Sequence, residues 1–261
     1  MKQISSRENA LYKELKQLAS SASARRKSGL SLLDGTHLCT AYLQHRGVPQ
    51  QCVLAESSLH NQEVHTIVSR LEEQHANVIV LTDALYNAIS QVENGVGLCF
   101  VVPIPCLQAP DVLNADAVLL DGLQDPGNLG SILRSAAAAG IKQVFCSEGS
   151  AAAWSPKVLR AGMGAHFVID IFEGVDLKSL IASAKVRVLA TSSHTETTIY
   201  HADLKHPIAW LFGHEGQGVS PELMELATTT VTIPQQPQIE SLNVAASAAI
   251  CFFEQVRQKL L

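Results

Sequence analysis

The chain has 261 residues and a mass of 28.0 kDa, enough for one large α/β domain or two of ordinary size. Hydrophobic residues make up 47% and charged residues 16%, which allows a substantial core and excludes wholesale disorder. Nineteen Lys and Arg against 24 Asp and Glu give a net charge of −5, which argues against a uniformly basic, nucleic-acid-coating protein.

Upstream, helix-like segments near 8–20, 35–46, 61–74 and 83–89 alternate with strand-like LSLL (30–33), CVLA (52–55) and VIVL (78–81). This pattern predicts a small α/β domain over 1–105. The polar stretch SSASARRKS (20–28) reads as a loop whose Arg25, Arg26 and Lys27 are free to meet phosphates. Residues 1–30 carry seven bases and two acids, a net +5, and the other 231 residues hold twelve bases and 22 acids, a net −10. The proline-rich segment 101–116 is the linker candidate, with its centre at 106–115.

Downstream, AVLLD (117–121), QVFC (143–146), FVIDIF (167–172), RVLAT (187–191), AWLFG (209–213) and TVTIP (230–234) read as strands interleaved with helices. Ser155-Pro156 and Ser220-Pro221 each place a capping hydroxyl before a proline at the first helical position. Gly140 closes the preceding alanine-rich helix. Continuous apolar strands of this kind predict a mostly parallel sheet covered on both faces.

The six cysteines, at 39, 52, 99, 106, 146 and 251, show no CxxC spacing, and they read as reduced and mostly buried. His194, His201 and His206 have no metal-ligand spacing and read as surface histidines. AGMGAHF (161–167) lacks the third glycine of a dinucleotide fingerprint. The start MKQISSRENALYK has no apolar targeting segment, and no run reaches the roughly 18 apolar residues of a membrane span. The expectation is a soluble cytoplasmic protein without metal or membrane.

Three segments carry chemistry. DPGNLGSILRSA (125–136) leads from a strand into a helix, with Asn128 as the expected cap, an anion-attracting helix start, and Ser131 and Arg134 on one face. LFGHEGQG (211–218) puts three glycines and Glu215 at the carboxyl end of a buried strand, the edge where open α/β sheets bind ligands. IPQQPQIESLNVAASAA (233–249) is a polar loop that places Ser241 and Asn243 at the start of a long helix.

In this order the three segments resemble the motifs of the SpoU/TrmH branch of the SPOUT superfamily, the S-adenosylmethionine-dependent RNA ribose 2′-O-methyltransferases. The resemblance covers residues from about 115 to the end. It implies a methyltransferase domain over 116–261 with a C-terminal trefoil knot, and a homodimer with its active site near the subunit interface. It also implies that Gly213, Ile233, Leu242 and Thr191 bind S-adenosylmethionine, and that Asn128, Arg134, Glu215, Ser241 and Asn243 are the catalytic set. Because a guanidinium keeps its proton, Arg134 suits a phosphate clamp or an oxyanion donor better than a base. The N-terminal hundred residues resemble, more loosely, a fused RNA-binding domain similar to certain ribosomal proteins. That points to ribosomal RNA, 23S above all, as substrate. The alternatives are a transfer-RNA 2′-O-methyltransferase and a non-catalytic RNA-binding protein that keeps the fold.

Overall fold

The computed structural model describes residues 1–92, 95–193, 195–236, 238–239 and 241–261. Its contacts divide the chain into two units, Met1–Cys106 with Trp154–Phe167, and Leu107–Ala153 with Val168–Leu261. The sequence reading counts residues 154–167 within 116–261, whereas in space they group with the first unit.

The first unit runs β1 (Lys2–Ile4), α1 (Ala10–Ser20), α2 (Ala22–Ser28), β2 (Leu30–Asp34), α3 (Thr36–His45), β3 (Gln51–Ala55), a 3₁₀ turn (Glu56–His60), α4 (Gln62–Glu73), β4 (Val78–Leu81), α5 (Asp83–Asn87) and β5 (Leu98–Pro103). The sheet order is β1-β4-β3-β5-β2, with β5 antiparallel to both neighbours and the other pairs parallel. In α1, Asn9 caps the first turn by accepting from Leu11 N at 3.0 Å. Tyr12, Leu15, Leu18 and Ala19 then recur at helical spacing and fill the core beside Val53, Ile79 and Leu81.

Two expectations are corrected in this unit. Residues 22–28 form a helix capped by Ser21, whose Oγ accepts from Ala24 N at 3.1 Å. Arg25 is only 6% exposed, and its guanidinium donates to Leu18 O at 2.7 Å, near the carboxyl end of α1. Its charge therefore faces inward, while Arg26 and Lys27 are exposed. The proline-rich stretch 101–116 begins inside a strand. β5 continues through Pro103, which sits at the strand's end, where the missing N–H costs little.

The second unit begins with β6 (Ala117–Leu120), α6 (Pro126–Ala138) and β7 (Gln143–Cys146). The chain then passes through α7 (Pro156–Gly162), which belongs to the first unit and is tied to β2 where Ser31 Oγ donates to Trp154 O at 2.6 Å. It continues with β8 (Asp170–Phe172), α8 (Leu177–Ala182), β9 (Arg187–Thr191), β10 (Ile208–Phe212), α9 (Pro221–Leu226), β11 (Thr229–Val231) and α10 (Val244–Lys259). All pairs in its sheet, of order β11-β9-β10-β6-β7-β8, are parallel. The expected strand 167–172 shrinks to 170–172, because residues 165–167 form a 3₁₀ turn.

Interior β10 is buried at every residue, as its unbroken IAWLF run requires. Trp210, fully buried, donates from Nε1 to Gln255 Oε1 at 2.8 Å, and Gln255 Nε2 donates to Asp116 Oδ1 at 2.7 Å. These bonds satisfy the polar atoms that α10 brings against the sheet. Cys39, Cys52, Cys99, Cys146 and Cys251 are buried free thiols, and burial pushes Cys52 up to about 12. His201 and His206 are exposed, and His194 lies outside the described residues. No helix of the described chain is long and apolar enough to cross a membrane.

Candidate functional site

In an all-parallel sheet the carboxyl ends of the strands share one edge, so the segments that follow β6, β9, β10 and β11 gather there. Leu120 of β6 is in register with Phe212 of β10, and just beyond that pair Asp121 N donates to Phe212 O at 2.9 Å. The segments after residues 120 and 212, far apart in sequence, thus leave the sheet side by side.

Glu215 links these two segments. Its carboxylate accepts from Asp125 N at 2.9 Å, Gln124 N at 3.2 Å and Asn128 Nδ2 at 3.1 Å. Burial alone would raise its pKa, but the Asn128 amide and the surrounding backbone N–H groups outweigh burial and hold the carboxyl below its ordinary value. Asn128 is not the cap of α6. Asp125 takes that place, accepting from Asn128 N at 2.8 Å with Pro126 at the first helical position. The Asp-Pro pair is the same start signal as the two Ser-Pro pairs and was readable in the sequence. The anion expected at this helix start is supplied by the chain itself, as the carboxylates of Asp125 and Glu215.

Asn128 is thereby free to face the third segment. Its Oδ1 accepts from Asn243 Nδ2 at 2.9 Å. Asn243 also caps α10, its Oδ1 accepting from Ala245 N at 2.9 Å and Ala246 N at 3.2 Å. Asn128, Glu215 and Asn243 are one hydrogen-bonded network.

Beside it lies a cavity of about 510 Å³, within the roughly 300–1,000 Å³ usual for small-molecule sites. Thr191, Gly213, Ile233, Leu242 and Ser241 all line it. The walls mix apolar groups such as Phe212 and Val231 with hydroxyls and backbone, a lining that offers both apolar contact and hydrogen bonds to a ligand. Pro237 and Glu240, inside the third segment, are outside the described residues.

Gly213 is needed for a reason other than contact with a ligand. A Cβ there would lie 2.0 Å from Gly218 C and Val219 N, so the loop's own backbone occupies the space. The loop closes where His214 N donates to Gly218 O at 3.0 Å and Gly218 N to His214 O at 2.8 Å, with Gly218 at φ +72°. His214, inside LFGHEGQG but given no role there, lines the cavity as well.

Arg134 stands apart from this cluster. It lies six residues beyond Asn128, about 240° around α6 and roughly 9 Å along it. It is exposed, does not line the cavity, and makes no hydrogen bond or ion pair among the described residues. Ser131 is exposed too, while Ile132 and Ala136 are buried as expected.

The chain matches solved structures in fold over almost its entire length. An RNA 2′-O ribose methyltransferase is 30% identical, with a TM-score of 0.82 and coverage of 99% of this chain and 100% of that one. An AdoMet-bound rRNA methyltransferase from Sinorhizobium meliloti is 25% identical, with a TM-score of 0.83 and coverage of 100% and 98%. Fold and site together define an RNA methyltransferase. Residues 116–253, more than half of the chain, match the SpoU rRNA Methylase family, and the chain belongs to it. Among its relatives, the 23S rRNA (guanosine(2553)-2′-O)-methyltransferase RlmP of Bacillus subtilis is 28% identical over 97% of this chain and 98% of its own length.

Proposed function

We propose that this protein methylates a ribose 2′-hydroxyl in 23S ribosomal RNA with S-adenosylmethionine as donor. The observation that carries the reading is the cavity lined by Thr191, Gly213, Ile233 and Leu242 beside the Asn128–Glu215–Asn243 network. The 23S rRNA activity of the Bacillus subtilis relative and the AdoMet bound in the Sinorhizobium meliloti structure support it.

When bound, S-adenosylmethionine supplies an electrophilic methyl group. The chain's part is to hold donor and ribose in line and to stabilise charge at the attacking oxygen. Thr191, Gly213, Ile233 and Leu242 hold the donor. Glu215, already saturated with donors, acts as the anchor that fixes Asn128, and Asn128 with Asn243 orients the loop over the ribose. Ser241, exposed at the cavity's edge, contacts the 2′-oxygen. Arg134 clamps an RNA phosphate or donates to the developing oxyanion.

Under the same reading, residues 1–105 bind the RNA, with Arg26 and Lys27 on phosphates, and 116–261 carry the chemistry. The last segments form a trefoil knot, and the enzyme works in the cytoplasm as a homodimer whose interface adjoins the site. Arg134 then meets its ligand across that interface, which accounts for its exposure in one protomer.

The test is incubation of the protein with labelled methyl donor and total RNA, followed by mapping of the modified nucleotide. One 2′-O-methylated position in 23S rRNA is the expected result. Label confined to transfer RNA, or to a base, overturns the reading.

A further inference from the structure

The turn between His214 and Gly218 forms one wall of the cavity, and two of its five residues are glycines. Its two ends are fixed by the paired backbone bonds between His214 and Gly218. Gly216 and Gly218 contribute no side chain, and the Glu215 carboxylate is engaged with Gln124, Asp125 and Asn128. Those bonds tie Glu215 outward to the first segment, whereas inside the turn Gly216 N donates to His214 Nδ1 at 3.0 Å.

We propose that His214 is a positioning residue for the donor, its neutral imidazole bracing this turn in the form that binds S-adenosylmethionine. The inference rests on the donor reading of the cavity. A backbone N–H can only donate, so Nδ1 carries a lone pair and the ring proton sits on Nε2. Protonation of the ring converts Nδ1 into a second donor aimed at the Gly216 N–H. The bond is lost and the turn is released.

Histidine is the side chain whose charge ordinarily changes between about pH 5 and 8. The described residues lining the cavity come from the ends of β9, β10 and β11, the turn after β10, α9, the loop between β11 and α10, and the start of α10. Among them only His214 and Glu215 are ionisable. Glu215, held below the usual carboxyl range, stays ionised throughout that interval. Among the described lining groups, protonation of His214 is the one that removes the bond to Gly216.

The experiment is calorimetric titration of S-adenosylmethionine into the full chain, as wild type, His214→Asn and His214→Ala, from pH 8 down to 5.5, with thermal melts alongside. An asparagine Oδ1 two residues before the N–H makes the same bond as an Asx-turn and does not titrate. At pH 8 the Asn variant should bind within threefold of wild type, and the Ala variant at least tenfold more weakly. On acidification wild type should lose affinity and the Asn variant should not. Ionisation of the donor itself is common to all three proteins and cancels in the comparison.

A folded Ala variant that binds like wild type overturns the proposal, as does an Asn variant with the wild-type pH loss. If the Ala variant fails to fold, the comparison of wild type with Asn decides. Absence of donor binding to wild type at pH 8 overturns the reading of the cavity itself, and the inference with it.

Discussion

Asn243 donates from Nδ2 to Asn128 Oδ1 at 2.9 Å, joining residues that lie 115 positions apart. The same Asn243 caps α10 with its other amide atom, so one side chain both starts the last helix and fixes the first motif. Position and stability are separable here by chemistry. Aspartate at 243 keeps the capping oxygen but loses the donor that Asn128 needs. Asn243→Asp should melt close to wild type and transfer methyl groups on the order of tenfold more slowly, equivalent to about 1.4 kcal/mol in the barrier. Asn243→Ala should in addition lose about 1 kcal/mol of stability with the cap. Thermal melts and single-turnover methylation check both.

Arg134 has no partner within the described chain and lies off the donor cavity. Arg134→Ala should therefore lower methylation by roughly 100-fold or more, the scale of losing one donor to a developing oxyanion. The melting temperature and the affinity for S-adenosylmethionine should stay near wild type. A folded variant that no longer binds the donor would place Arg134 in the donor site.

Gly213 has no room for even a methyl group. Gly213→Ala should destabilise the second unit by about 1–3 kcal/mol and abolish donor binding, because the added carbon meets backbone and not a flexible side chain. Melting and calorimetry together test this. Normal donor affinity at an unchanged melting temperature would show that the 213–219 turn tolerates what its geometry forbids.

The pH dependence at Glu215 has a definite sign. A carboxyl whose folded-state pKa is depressed adds stability that is complete above its unfolded value and lost as pH falls through the folded value. Wild type should exceed Glu215→Gln in stability at neutral pH by about 1 kcal/mol, a modest figure because the group is solvent-accessible. The gap should close as pH drops from about 4.3, the unfolded carboxyl's range, into more acidic solution. Denaturation of both proteins across that interval measures it.

The basic N-terminal segment should divide in two. Arg25→Ala should cost about 1.5–3 kcal/mol of stability, since it removes a buried charge-assisted bond to Leu18 O. Arg26→Ala with Lys27→Ala should leave stability nearly unchanged and weaken RNA binding. The slope of log affinity against log salt should fall by roughly 0.7–0.9 for each phosphate that is no longer neutralised. RNA titrations over a salt series decide whether these two side chains meet phosphates.

The strands RVLAT and VIVL and the amphipathic helices of the first unit were legible because burial writes a local period into the sequence. The motif segments were legible for a similar reason, since a turn that must close tightly selects glycine, and a helix start selects a capping side chain. Helix α2 was missed because its RRKS stretch offers no apolar residue at helical spacing. A buried arginine looks the same in sequence as an exposed one, and only the carbonyl of Leu18 distinguishes them.

By itself the sequence determined which residue types stood at the ends of which strands, and hence the three motifs and their chemistry. Only the tertiary structure decided how they were used. Parallel pairing of β6 with β10 put Glu215 on the amides that start α6, and Asn128, the expected cap, bonds to Glu215 and Asn243 instead. The physical cause is the same in each case. Hydrogen bonds and steric contacts between segments about ninety or more residues apart depend on strand order and register, which are fixed by the burial of the whole sheet and not by any stretch of it.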